Sequence, residues 1–168
     1  MKVFSLFSGI GAFEKALSRQ NIQREIVGYS EIDKYASKNY SLIHNVSEDL
    51  NYGDITKIDV GKLPDFDLMT FGFPCQSFSI AGKGLGFSDP RGTLFFEAFK
   101  ILKVKLPKYF IFENVKGLLS HDNGNTIRVI LEHLGTIPYE ITMDILNAKD
   151  YGIPQNRERI FCIGKRVY

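Results

Sequence analysis

Cysteine is scarce: the 168 residues hold only Cys75 and Cys162, far apart in the chain. A disulfide scaffold is thereby excluded, and reduced cytosolic thiols are the expectation. No Cys-x-x-Cys pair and no His/Cys cluster occurs, so no metal site can be read. The three histidines, His44, His121 and His133, are scattered and read as surface or packing residues. No stretch approaches the roughly 20 apolar residues of a membrane span. The opening MKVFSLFSGIGAFEKAL begins like a signal peptide, but Glu14 interrupts it and no long apolar core follows. An excess of one charge is also missing. Lys plus Arg number 21 and Asp plus Glu 19, a formal net charge of +2. That excludes a strongly basic nucleic-acid arm and an acidic disordered tail, though not a local basic patch. There are no repeats, low-complexity tracts or interior linkers. What is present is one ordinary domain's length with 44% hydrophobic residues, enough to bury a core.

Short β-rich runs alternate with helical ones, which predicts an α/β fold with a mostly parallel sheet and helices on both faces. Seven strands are expected: 3–7, 25–29, a short one just before Gly53-Asp54, 66–71, 109–112, 139–146 and 159–163. Helices are expected over 12–19, 32–43, 93–104 and 126–134. The run 66–71 is apolar almost throughout, as a buried central strand requires. A glycine-rich loop over 72–91 follows it, and a loop that long is usually functional or mobile. Gly9, Gly11, Glu31, Asp54, Cys75 and Glu113 then gather at strand C-termini, the edge where open α/β sheets bind ligands.

Phe7-Ser8-Gly9-Ile10-Gly11 leaves a strand and opens a helix. Glycines there let the backbone approach a ligand, and the helix N-terminus favours an anionic group. The third glycine of a dinucleotide fingerprint is replaced by Glu14, which would repel a pyrophosphate. Glu31 stands 20 residues after Gly11, where an acid hydrogen-bonds ribose hydroxyls. Together these predict a nucleoside ligand without a pyrophosphate. Asp54 either accepts from an adenine amino group or caps the turn that starts at Thr56. Cys162 sits among aliphatics and reads as packing. Cys75, between Pro74 and Gln76 just past the buried strand, is placed as a nucleophile would be. No histidine stands ready as its base, which argues against a Cys-His hydrolase. Glu113 ends the next strand behind Tyr109-Phe110-Ile111-Phe112, so a partly buried carboxyl suited to proton donation is expected near Cys75. Arg157 and Arg159, at i and i+2 on an extended segment, share one face and could clamp a phosphate or a base carbonyl. Arg91 reaches nucleic-acid phosphate or caps the following helix.

These stretches closely resemble the cytosine-C5 DNA methyltransferases, bacterial or phage type. Seven motifs of that family occur in order: Phe7 to Gly11, Ser30-Glu31-Ile32-Asp33, Gly53-Asp54-Ile55, Gly72-Phe73-Pro74-Cys75-Gln76-Ser77-Phe78-Ser79, Arg91-Gly92-Thr93-Leu94-Phe95-Phe96-Glu97, Glu113-Asn114-Val115 and Gln155-Asn156-Arg157-Glu158-Arg159. The resemblance implies a Rossmann-like methyltransferase fold and S-adenosylmethionine (SAM) as cofactor, with S-adenosylhomocysteine as product. Phe7, Ser8, Gly9, Gly11, Glu31, Ile32, Asp54, Ile55, Pro74 and Leu94 would form its pocket. Cys75 would add to C6 of a flipped-out cytosine, Glu113 would serve N3, Arg159 the base carbonyl and Arg157 the backbone. Gln76, Ser77, Ser79, Arg91 and Arg159 would contact double-stranded DNA. A role in restriction-modification in a bacterial or phage-infected cytoplasm is implied too.

The family normally continues with a target-recognition domain, a ninth motif and a last helix, none of which follows Tyr168 here. The expectation is a single SAM-binding catalytic domain over 1–168, truncated or split, with sequence readout supplied elsewhere. Two other readings stay open: a non-autonomous SAM-binding subunit that needs a C-terminal partner, and an RNA cytosine-C5 methyltransferase of the same fold.

Overall fold

A computed structural model describes residues 1–74 and 94–167. Six strands form one sheet: β1 Lys2–Leu6, β2 Glu25–Ser30, β3 Leu68–Phe71, β4 Tyr109–Val115, β5 Tyr139–Asn147 and β6 Glu158–Arg166. Their order is β2-β1-β3-β4-β6-β5. The first four pair in parallel, and β6 runs antiparallel between β4 and β5. Among the described residues four α-helices connect them: α1 Ala12–Arg19, α2 Lys34–His44, α3 Leu94–Lys105 and α4 Asn125–Leu134. Among the described residues no helix is long and apolar enough to cross a membrane.

The strand expected before Gly53 is not formed, so the sheet has six strands rather than seven. Only Asn51 bridges to Tyr29. Its side chain then takes over the next ladder positions: Oδ1 accepts from the Glu31 amide at 3.0 Å and Nδ2 donates to the Glu31 carbonyl at 3.0 Å. The chain turns away after one bridge because a side chain has already satisfied the backbone it would have paired with.

Alternation along the strands assigns the two faces. Phe4, Leu6, Met69, Phe71, Phe110, Phe112, Ile160 and Cys162 point to one side and bury against Phe95, Ala98 and Leu102 of α3 and Ile130 and Leu134 of α4. Each Leu, Ile, Met or Phe among them contributes roughly 1.5–3 kcal/mol on burial. On the opposite face Ser5 and Thr70 lie beneath α1, where Glu14 meets Ser5. β3 reads Leu-Met-Thr-Phe and is buried at every position, consistent with a central strand covered on both sides.

From β1 the chain crosses to β2 on one side, and β3 lies on the other. The C-terminal ends of β1 and β3 therefore flank a topological switch point, where a crevice opens for ligands.

Candidate active site

The crevice is built on the turn between β1 and α1. Phe7 adopts φ 52°, in the left-handed region, which costs a non-glycine residue about 1–3 kcal/mol. The Gly11 amide closes the turn on the Ser8 carbonyl at 2.9 Å. Gly11 has φ +83°, and a Cβ there would lie 2.0 Å from Nε2 of His44. His44 Nε2 is in turn 3.1 Å from the Ile10 carbonyl, so this ring braces the turn from below. The Gly9 amide donates to Glu31 at 2.8 Å, and the other Glu31 oxygen accepts from the Asp33 amide at 2.9 Å. The first glycine turn and the acid after β2 are thus one hydrogen-bonded unit.

Two cavities open beside this unit. The smaller, about 250 Å³, is lined by Phe7, Ser30, Glu31, Ile32, Asp54, Ile55, Pro74 and Leu94. It is an apolar slot with two carboxylates and a hydroxyl at its edge, which matches the chemistry of a nucleoside. All of these except Ser30 stand among the sequence-expected cofactor residues. Ser30 donates from its hydroxyl to the Gly53 carbonyl at 2.6 Å and so ties the end of β2 to the Asp54 turn. Asp54 caps that turn, accepting from the Thr56 amide at 3.0 Å and the Thr56 hydroxyl at 2.8 Å. These bonds, the hydroxyl's foremost, hold Asp54 below the usual carboxylate range. The capping role and the place at the cavity edge coexist. Gly9 and Gly11 line neither cavity, and Gly9's link to the site is through its amide on Glu31.

The larger cavity, about 570 Å³, lies between α1, the ends of β1 and β3, and the β4–β6–β5 half of the sheet. Ser8, Glu14, Thr70, Gly72, Glu113, Arg157 and Arg159 are in its wall. The Ser8 hydroxyl oxygen is buried there without a hydrogen-bond partner, a polar atom open to a ligand. Glu113 is half-buried and forms an ion pair with Arg159, whose Nε lies 3.0 Å from Oε1, while Arg157 Nη2 stands 3.9 Å away. The antiparallel register explains the pairing. Glu113 sits opposite Phe161 and Val115 opposite Arg159, so Glu113 and Arg159 are diagonal neighbours on one face. A Cβ on Gly72 would lie 3.5 Å from Glu113 Oε2, so the exit of β3 passes directly by the carboxylate.

Two residues of the site carried no expectation of their own. Asn114 is buried, and its Nδ2 donates to the Phe73 carbonyl at 2.9 Å, two residues ahead of Cys75. Its only sequence signal is its place beside Glu113. Asn147 accepts from the Arg157 amide at 3.0 Å and donates to Asn156 at 2.7 Å, holding the start of β6 in place. Cys75, Gln76, Ser77, Ser79, Arg91 and nearly all of the 72–91 loop lie outside the described residues.

A family model for C-5 cytosine-specific DNA methylases matches residues 1–167. The chain is 57% identical over 166 residues to the orphan methyltransferase M.Rho11sI of Bacillus phage rho11s, covering 99% of this chain and 33% of that protein. It is 49% identical over 175 residues to the type II methyltransferase M.NlaIV of Neisseria lactamica, covering 98% and 41%. The crystal structure of the S. pombe Dnmt2 methyltransferase superposes with a TM-score of 0.83 at 27% identity, over 100% of this chain and 51% of that one. The chain spans between a third and under half the length of these curated relatives. With a site of this geometry and a family match over nearly its whole length, the chain belongs to the C-5 cytosine-specific DNA methylases.

Proposed function

We propose that residues 1–168 are the cofactor-binding catalytic domain of a SAM-dependent DNA (cytosine-5-)-methyltransferase. The observation that carries this reading is the placement of Glu113. It is held by Arg159 at 3.0 Å, beside the exit of β3 that leads to Cys75, and it faces a cavity that shares Phe7 with the nucleoside-shaped slot.

The residues present fit the cofactor. Glu31 at the slot edge suits ribose hydroxyls, Asp54 an amino group, Ile32, Ile55, Pro74 and Leu94 an apolar base. The Ser8 hydroxyl, buried without a partner, suits the polar end that extends into the larger cavity. When bound, SAM supplies the methyl group for cytosine C5. The chain's own residues do the rest. A stacked base cannot reach this depth, so the cytosine is flipped out of the duplex. The Cys75 thiolate adds to C6 and makes C5 nucleophilic. Glu113 hydrogen-bonds or protonates N3 as charge develops there. Arg159 holds Glu113 with Nε, donates from Nη1 to the Glu158 carbonyl at 2.7 Å, and offers Nη2 to the base carbonyl. Arg157, about half exposed, is available to DNA phosphate. Loss of the C5 proton to a base and departure of the thiolate restore the ring. Gln76, Ser77, Ser79 and Arg91 are proposed DNA contacts from their motif positions.

The test is methyl transfer from radiolabelled SAM to mixed-sequence duplex DNA by the purified chain. Incorporation that Cys75→Ser abolishes, with SAM affinity kept within a few-fold, is the expected result. A chain that binds SAM but transfers nothing would favour a subunit that needs the C-terminal residues its longer relatives carry. Incorporation into transfer RNA in place of DNA would overturn the substrate assignment.

A further inference from the structure

The wall of the larger cavity contains two carboxylates in very different surroundings. Glu113 faces Arg159 and Arg157. Glu14, on the sheet-facing side of α1, is 1% exposed, and no ion pair reaches it among the described residues. Its Oε1 accepts from the Tyr40 hydroxyl at 2.9 Å and from the Ser5 hydroxyl, and Ser5 Oγ is 2.7 Å from Thr70 Oγ1. Each hydroxyl has one proton. The order Thr70 to Ser5 to Glu14, with Tyr40 donating from the other side, gives every hydroxyl proton an acceptor and leaves Glu14 an acceptor only. Burial, with the Glu14 carboxylate beside it, pushes the Tyr40 phenol well above the usual tyrosine range, so that hydroxyl keeps its proton. Glu14 also lies in the first turn of α1, at the positive end of the helix.

A buried carboxylate without a cation is costly, and such groups are ordinarily paired. The charges in the cavity wall suggest the partner. Among the described residues of the wall, Arg157 and Arg159 carry two positive charges against one on Glu113. Without Glu14 the wall would be net positive and would oppose a cationic ligand. With Glu14 the described part of it is balanced. The same residue occupies the third glycine position of a dinucleotide fingerprint, where it disfavours a pyrophosphate and favours a cation.

Resting on the reading that SAM is the cofactor, we propose that Glu14 is the countercharge for the cationic methionine end of that cofactor and selects it over neutral nucleosides. Ser5, Thr70 and Tyr40 act as positioning residues that hold the carboxylate.

Calorimetric binding of three probes to the whole chain tests this. They are SAM, whose sulfonium, ammonium and carboxylate leave it net positive, S-adenosylhomocysteine, a zwitterion with the ammonium and carboxylate but no sulfonium, and methylthioadenosine, with none of these groups. Glu14→Gln keeps the shape and an acceptor oxygen but removes the charge. It should weaken SAM roughly tenfold, S-adenosylhomocysteine by the same or less, and methylthioadenosine not at all. Glu14→Asp should restore the preference. Equal losses for all three probes would mean a structural role and would overturn the proposal, as would no loss for any. Ser5→Ala gives an independent reading, because it leaves the charge and removes one donor. It should lower the preference for SAM over methylthioadenosine only in part, because the charge remains and Tyr40 still holds it, and a fall to the Glu14→Gln level would also overturn the proposal. Failure of the unaltered chain to bind any probe would instead overturn the cofactor reading itself.

Discussion

Asn114 shows how one side chain can set the geometry of a site it does not line. It is 4% exposed, donates to the Phe73 carbonyl at 2.9 Å, and accepts from the Val115 amide at 2.8 Å. The C-terminal ends of β3 and β4 are joined through it, just where one leads to Cys75 and the other carries Glu113. Asn114→Ala deletes both bonds in buried surroundings. A loss of about 1–3 kcal/mol is expected in urea unfolding. Asn114→Asp should lose more, because it removes the donor and buries a charge. A midpoint unchanged in both variants would show that the two strand ends are held by other contacts. Gly11 makes the same point through backbone. Gly11→Ala must accept φ +83° and displace the His44 ring, which lies 2.0 Å from the new Cβ. A further loss of about 1–3 kcal/mol is expected, with weaker SAM binding.

At the scale of elements, β6 decides most of what lies on the far side of the crevice. It pairs with β4 and β5 at once, so it extends to Arg166, three residues beyond the 159–163 run expected from its aliphatics. Paired on both edges, it keeps Cys162 fully buried. Burial pushes that thiol up to about 12. In the unfolded chain it titrates near 8.5. The folded state therefore holds a proton that the unfolded state has lost between those values. Stability from this group is complete below about pH 8.5 and falls by about 1.4 kcal/mol per pH unit above it. Urea unfolding of the chain at pH 8.5 and 9.5 should show that fall, and Cys162→Ala should flatten it while lowering stability at both. An equal slope in the variant would mean that the thiol does not govern this limb. The main strands were legible because their apolar runs are long and are bounded by turn residues. The strand before Gly53 was misread because a single asparagine side chain ends its pairing. The cluster around Glu14 was not legible either. Its partners lie 9 and 26 residues away, and the relay to Thr70 spans 65, distances over which no local pattern carries information.

For the whole molecule, the two cavities make stability depend on ligand. Their walls draw on all six strands, on α1, on the start of α3 and on the segment before β6, so every strand of the sheet contributes a residue. A ligand that fills them binds the folded state only and stabilises it by mass action. At a hundredfold excess over its dissociation constant the gain is about 2.7 kcal/mol. For a chain of this length that corresponds to a rise in Tm of roughly 5–10 °C. SAM and S-adenosylhomocysteine should both produce it. Glu31→Ala should abolish most of the shift, because it removes the acceptor at the slot edge and the partner of the Gly9 amide, 2.8 Å away, that fixes the glycine turn. The apparent stability of Glu31→Ala without ligand should change far less, since the carboxylate lies at the rim and its bonds are to a turn. A variant that kept the full shift would place the adenosine elsewhere, whereas one that unfolded without ligand would make Glu31 a structural tie between β2 and α1 first and a ribose acceptor second.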